Sequence, residues 1–199
     1  VPIWVKICGL TSRAAVEAAV AAGADAVGFV FAPSQRQVTT AQAKQLARDV
    51  PRRVVRVAVM LHPTQSQLEE MWSGFRPEIL QTDAEDLPTL RVPSGLAVIP
   101  VVRAVGPASA GHPLILFEGP VSGIGSTADW QSAAQLARTT QLVLAGGLNA
   151  TNIADAIAAV RPFGVDVSSG VEASPGVKDP TRIHEFVRRA RAAANGANR

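Results

Sequence analysis

The single cysteine of this 199-residue chain, Cys8, stands where the apolar run Ile3-Trp4-Val5-Lys6-Ile7 ends against Gly9, with a helical pattern opening just beyond. A thiol in that position has two readings. It is a small buried hydrophobe, as free cysteines usually are, or it is a reactive group presented at the end of a strand. Glu118 raises a similar choice, because it closes the run Leu114-Ile115-Leu116-Phe117. A carboxylate is costly to bury unless paired or protonated. In an enclosed mouth it would hold its proton and serve as a general acid near neutral pH; on an open loop it is a solvated charge. Gly146-Gly147 and Ser169-Gly170 each follow an apolar run. Singly they are ordinary turns. Taken together they let backbone N–H groups approach an anion with no side chain in the way. Arg36, in the loop Ala32-Pro33-Ser34-Gln35-Arg36-Gln37, either forks onto a substrate carboxylate or points to water.

These residues need elements to position them, and the chain supplies a regular alternation. Short β-branched runs end near Cys8, Phe31, Met60, Gln81, Val102, Glu118, Ala145 and Ser168. Between most of them lie alanine-rich stretches with apolar residues at helical spacing, such as Ala15, Val16, Ala19 and Val20, or Leu68, Met71, Trp72 and Phe75. Strands that are apolar almost throughout call for a parallel sheet covered on both faces. Eight βα units predict a single α/β domain over residues 1–199, closed into a (β/α)8 TIM barrel. Its fourth helix is short and interrupted by Pro88, and its fifth is reduced to a loop around Gly106-Pro107. A doubly wound open sheet is the rival, but it favours a Gly-x-Gly-x-x-Gly turn after the first strand, where this chain has Cys8-Gly9-Leu10-Thr11. In a barrel all strand C-terminal ends meet on one face. That closure would gather Cys8, Arg36, His62, Gln81, Arg103 and Glu118 with the two glycine pairs, Asp166 and Ser168. The loops after strands seven and eight are then where such barrels commonly hold phosphate.

Composition removes other classes. The chain is 47% hydrophobic and 18% charged, with a net charge of +3, the balance of a folded rather than a disordered protein. No apolar run reaches the roughly 18 residues needed to cross a bilayer, and the first residues do not read as a signal peptide. A cytoplasmic protein without a membrane partner is expected. The basic residues gather in the last helix at Arg188, Arg189 and Arg191, without interleaved aromatics, so no nucleic-acid partner is expected. His62, His112 and His184 lack ligand spacing and sit in no cluster of carboxylates and cysteines, so no metal is expected. Asp129, just before Trp130, suits a helix N-cap.

Several segments, in order, are similar to one family. Lys6-Ile7-Cys8-Gly9-Leu10-Thr11, Gly28-Phe29-Val30-Phe31, Ala145-Gly146-Gly147-Leu148-Asn149, the stretch from Gly164 to Glu172 and Pro175-Gly176-Val177-Lys178-Asp179 resemble phosphoribosylanthranilate isomerase of tryptophan biosynthesis. The resemblance implies a (β/α)8 barrel performing a cofactor-independent Amadori rearrangement of a phosphorylated aminoaldose. By the same resemblance Cys8 matches the general base at ribose carbon 2, and Glu118 the general acid at the ring oxygen. Arg36 matches the arginine that holds the anthranilate carboxylate, Asp166 an active-site aspartate, and Gly146, Gly147, Ser169 and Gly170 fall in the phosphate cradle. Three departures accompany the match. The family's acid is normally aspartate, one methylene shorter than Glu118. Ser122-Gly123-Ile124-Gly125 stands for a Gly-Gly-x-Gly loop, either a mobile cover over the site or a plain linker. Gln81-Thr82-Asp83-Ala84 replaces Gln-Leu-His-Gly after strand four. Two other readings are a phosphate-ligand-binding barrel that has lost its acid, and an isomerase of a related phosphosugar. The latter would be expected to carry an aspartate on the first strand, where this chain offers Cys8.

Overall fold

Strand alternation decides which side chains face the inside of the sheet, and here the sheet closes on itself. In a computed structural model, which describes residues 2–106, 111–119 and 128–197, eight parallel strands pair in sequence order, β1 with β2 round to β8 with β1. They are β1 (Trp4–Cys8), β2 (Ala26–Val30), β3 (Val55–Val59), β4 (Ile79–Asp83), β5 (Ala97–Val102), β6 (Leu114–Phe117), β7 (Gln141–Leu144) and β8 (Gly164–Val167). Helices α1 (Arg13–Ala21), α2 (Thr40–Leu46), α3 (Gln65–Phe75), α4 (Trp130–Leu136), α5 (Ile153–Val160) and α6 (Pro180–Ala197) cover the outside. The expected (β/α)8 barrel is the observed fold.

The helices begin where side chains satisfy their first N–H groups. Ser12 Oγ accepts from Ala15, and Asp129 Oδ1 accepts from Gln131 and Ser132, the N-cap role expected of it. Thr39 and Thr64 each form a reciprocal capping box, with Gln42 and Gln67. At the other end of the chain, Arg191 of α6 ties to Asp25 Oδ2 at 2.7 Å and to the Ile3 carbonyl, clasping the last helix to the start of the barrel.

Most of the core lies between barrel and helices, where Phe29, Leu68, Ile115, Ile157 and Phe186 are buried. Inside the barrel the residues divide by side. Ile99, Val101, Leu116, Val143 and Ala145 make an apolar half contributed by β5 to β7. Against it, β1, β4 and β8 bury Lys6, Gln81 and Asp166.

Two local features, the end of β4 and a hairpin after β8, depart from the pattern read in the sequence. Strand β4 runs on through Thr82 and Asp83, because those residues pair with Pro100 and Val101 of β5, so Asp83 belongs to the strand end and not to a helix. The fourth helix is a 3-10 turn over Ala84–Thr89 containing Pro88, short as expected. Beyond β8 the chain adds a small antiparallel hairpin, β9 (Glu172–Ser174) with β10 (Val177–Lys178), turning at Gly176 with φ 80°. The loop after β5 lies partly outside the described residues.

Candidate active site

Cys8 ends β1 and is 6% exposed. By alternation it shares the inner face with Lys6, whose Nζ is wholly buried and lies 2.9 Å from Asp166 Oδ1 on the adjoining strand. Gly28 on β2 makes room for both. A methyl there would come within 3.0 Å of Cys8 Sγ and 3.1 Å of Lys6 Cε. Burial pushes the Cys8 thiol up from its ordinary value, and Asp166 adds to that, while Lys6 and Lys178 draw it down. Burial works to lower Lys6, yet the charge and hydrogen bond of Asp166 hold it above its ordinary value. Sequence reading gave Lys6 no role. Its signal was parity, two residues before Cys8 on the same face. Asp166, expected as a residue of the mouth, has its carboxylate turned to Lys6.

The loop after β1 then meets the loop carrying Arg36. Gly9 has φ 73°, and an added Cβ would lie 2.6 Å from Arg36 Cδ and 3.0 Å from Ser168 Oγ, so only glycine lets these three segments converge. Arg36 does make a fork, but with a protein partner. Its Nε and Nη2 donate to Glu172 Oε1 and Oε2 at 2.7 and 2.9 Å. The guanidinium, 14% exposed, is therefore not simply turned to water. Lys178, fully buried, donates to the Ser168 carbonyl (2.9 Å), Ser168 Oγ (3.2 Å) and Glu172 Oε1 (2.7 Å), which uses all three ammonium hydrogens. Burial works to raise the Glu172 carboxyl, but Arg36 and Lys178 hold it down at about 2. Glu172 and Lys178 were quoted in motifs without a role. The Pro175-Gly176 turn between them was the available hairpin signal.

The two glycine loops also meet. Gly146 and Gly147 both adopt positive φ, 85° and 64°, and the Gly147 carbonyl accepts from Asn152 Nδ2 at 2.9 Å. A Cβ on Gly170 would stand 1.9 Å from the Leu148 carbonyl oxygen, so the β7 and β8 loops touch through a glycine. Among the described residues, the N–H groups of Gly147, Ser169 and Gly170 donate to no backbone carbonyl outside regular elements. An open cleft of about 510 Å³ lies against Arg36, Ser169 and Glu172.

Across the mouth, Glu118 follows β6 with its side chain 14% exposed, which removes the reading of an open loop charge. Its Oε1 is 3.1 Å from Arg103 Nη2, and Arg103 Nη1 is 2.6 Å from Asp83 Oδ1. Asp83 in turn lies 3.7 Å from His62 Nε2, and His62 Nδ1 is 2.8 Å from Asp86. His62 therefore does have carboxylates around it, contrary to the sequence expectation, because β4 and its 3-10 turn bring them to the β3 loop. Arg103 already engages Asp83, and Thr82 with His62 engages Asp86, so the group reads as an ion-pair cluster. Gln81, also at this end of β4, buries an Oε1 that has no hydrogen-bond partner among the described residues. The Ser122–Gly125 loop lies outside the described residues.

The family model for N-(5'-phosphoribosyl)anthranilate (PRA) isomerase matches residues 5–189. An N-(5'-phosphoribosyl)anthranilate isomerase of Rhodopseudomonas palustris is 40% identical over 96% of this chain and 97% of its own length, and one from Streptococcus pneumoniae is 39% identical over 98% of each. Among solved structures, phosphoribosyl anthranilate isomerase from Thermotoga maritima superposes with a TM-score of 0.86 at 33% identity, over 96% of this chain and 99% of that one. A second, also 33% identical over 96% and 99%, with a TM-score of 0.83, is a phosphoribosyl anthranilate isomerase in complex with reduced 1-(o-carboxyphenylamino)-1-deoxyribulose 5-phosphate.

Proposed function

This chain belongs to the N-(5'-phosphoribosyl)anthranilate isomerase family, and we propose that Cys8 and Glu118 are the base and acid of its reaction. It is an isomerase of tryptophan biosynthesis, converting N-(5-phosphoribosyl)anthranilate to 1-(2-carboxyphenylamino)-1-deoxyribulose 5-phosphate. The chemistry needs a proton delivered to the ribose ring oxygen and a hydrogen removed from carbon 2. Glu118 supplies the first, which opens the sugar to an iminium. The cationic iminium makes the neighbouring carbon acidic, and it favours the thiolate of Cys8 beside it. Lys6 adds positive charge from beneath, and Asp166 holds Lys6 in place.

The remaining residues fit the two anionic ends of the substrate. Gly146, Gly147, Ser169 and Gly170 would take the phosphate through N–H groups on two touching loops. Arg36, its plane set by Glu172, would face the anthranilate carboxylate. Gln81, with its unpartnered oxygen, suits a substrate hydroxyl. The observation that carries this reading is the enclosed end of β1, where Cys8, Lys6 and Asp166 meet in one buried group. Steady-state kinetics test it, following the change in anthranilate fluorescence. Cys8→Ala and Glu118→Gln should each lose at least about a hundredfold in kcat, and Glu118→Asp should recover part of it. Full activity in either of the first two removes that residue from the mechanism.

A further inference from the structure

Arg103 links two carboxylates from neighbouring strands. Its Nη1 lies 2.6 Å from Asp83 at the end of β4, and its Nη2 lies 3.1 Å from Glu118 just after β6. All three side chains are largely enclosed, at 27%, 8% and 14% exposure, so the charges are poorly screened by water. A guanidinium beside a single carboxylate would stabilise the ionised form and make a poor proton donor of it. Two carboxylates around one guanidinium are a different case. With both ionised the trio carries a net negative charge, and one added proton makes it neutral. The shorter contact is to Asp83, so Arg103 spends its charge mainly there.

We propose that Arg103 is the positioning residue for the proton donor: its guanidinium spans Asp83 and Glu118, and Asp83, by taking most of its charge, lets Glu118 keep the proton it delivers. The inference rests on the reading of Glu118 as the acid. It accounts for the longer side chain, since the carboxyl is held at a guanidinium that reaches across from β5. Once the proton has passed to the ring oxygen, the same guanidinium is in place to stabilise the carboxylate left behind.

Asp83 meets Arg103, His62, Asp86 and Glu85. The Asp83 carboxyl stands above its ordinary value: burial pushes it up most, Arg103 and His62 lower it, and Asp86 and Glu85 raise it. His62 is 59% exposed and is raised chiefly by its hydrogen bond to Asp86. On the β7 side the register Phe117↔Leu144 puts uncharged Ala145 level with Glu118.

The test is the pH dependence of kcat/KM for the wild type and for Asp83→Asn, Arg103→Met and Glu118→Gln, with thermal melts confirming that each is folded. A general acid is lost on the alkaline side of the profile. Asn at 83 still accepts from Arg103 but carries no charge, so Arg103 turns wholly to Glu118 and the alkaline limb should move to lower pH by about one unit, from an opposite charge at this range. Arg103→Met should move it the other way. A purely structural role would lower rates at all pH values and leave the limb in place, so an unmoved limb in Asp83→Asn overturns the proposal even if Arg103→Met does not fold. Glu118→Gln separates the two claims. If it keeps wild-type kcat/KM, the reading of Glu118 as the acid falls. If it loses at least a hundredfold while the limb stays fixed in Asp83→Asn, the acid stands and the role of Arg103 falls alone.

Discussion

Replacing Glu172 by glutamine should separate the electrostatic frame of the site from its packing. The wild-type carboxylate, 5% exposed, accepts from Arg36 twice and from Lys178 once at 2.7 to 2.9 Å. Its pKa falls from 4.5 to about 2, burial being outweighed by those partners. At 1.36 kcal/mol per unit this is about 3 kcal/mol of stability at pH 7. The pKa is depressed on folding, so the stabilisation is fully present above the unfolded value of 4.5 and disappears as pH falls through the folded value of about 2. At pH 3 linkage leaves about 1 kcal/mol, so about 2 kcal/mol is lost between pH 7 and pH 3. Glutamine keeps the shape and cannot ionise, leaving buried Lys178 without its counter-charge, a loss of about 3–5 kcal/mol when one partner of a buried pair is removed. Urea unfolding of wild type and Glu172→Gln, followed by circular dichroism, should therefore show a gap of at least about 3 kcal/mol at pH 7, narrowing by about 2 kcal/mol at pH 3. A gap that is the same at both pH values would refute the argument, because packing alone does not titrate.

Three further outcomes follow from the same geometry. Lys6→Met should cost about 3–5 kcal/mol by stranding the buried Asp166; adding Asp166→Leu should restore stability in urea unfolding, while turnover stays lost in both variants. Gly170→Ala would put a carbon 1.9 Å from the Leu148 carbonyl oxygen, forcing the β7 and β8 loops apart. It should cost about 1–3 kcal/mol and raise KM for the phosphorylated substrate more than it lowers kcat, which steady-state kinetics would read. Gln81→Leu removes a buried acceptor that has no partner, so its thermal melt should be unchanged or higher. If Gln81 meets a substrate hydroxyl, KM rises in that variant; an unchanged KM removes Gln81 from the substrate site.

The barrel was legible because its strand and helix signals are local. Short, nearly continuous apolar runs marked the strands and the helical stripe of Leu68, Met71 and Phe75 marked a covering helix, so the strand ends could be gathered before any contact was seen. The partners of the site residues were not legible. Lys6 pairs with a residue 160 positions away, and in the sequence it reads as an interruption of an apolar strand. Asp83 looks like a turn residue, because its place in β4 depends on pairing with β5 and its burial on Arg103. Strands β9 and β10 span three and two residues, too short for any period to announce them, yet they carry both ends of the Glu172–Lys178 pair. Arg36 was placed correctly at the rim, but the carboxylate that it forks onto lies 136 residues further along.

Those unseen partners divide the mouth by charge, and the division matches the chemistry. Around Cys8, among the described residues, stand Lys6, Arg36 and Lys178 with Asp166 and Glu172 to balance them, three cations against two carboxylates. That excess of positive charge suits the anionic ends of a substrate, and Lys6 and Lys178 work against the burial that raises the Cys8 thiol. Around Glu118, the proposed acid, one guanidinium serves two carboxylates, which suits the proposal that it holds a proton until it is needed. A base and an acid facing the same sugar would each be spoiled by the other's surroundings. A further cation near Glu118, beyond the shared Arg103, would favour its ionised form, and a further carboxylate near Cys8, beyond Asp166, would add to what keeps its thiol neutral. Building the two environments on β1 with β8 and on β4 with β6 keeps them on separate strands of one barrel, and a charge placed on the wrong side should therefore harm catalysis more than its distance from the substrate suggests.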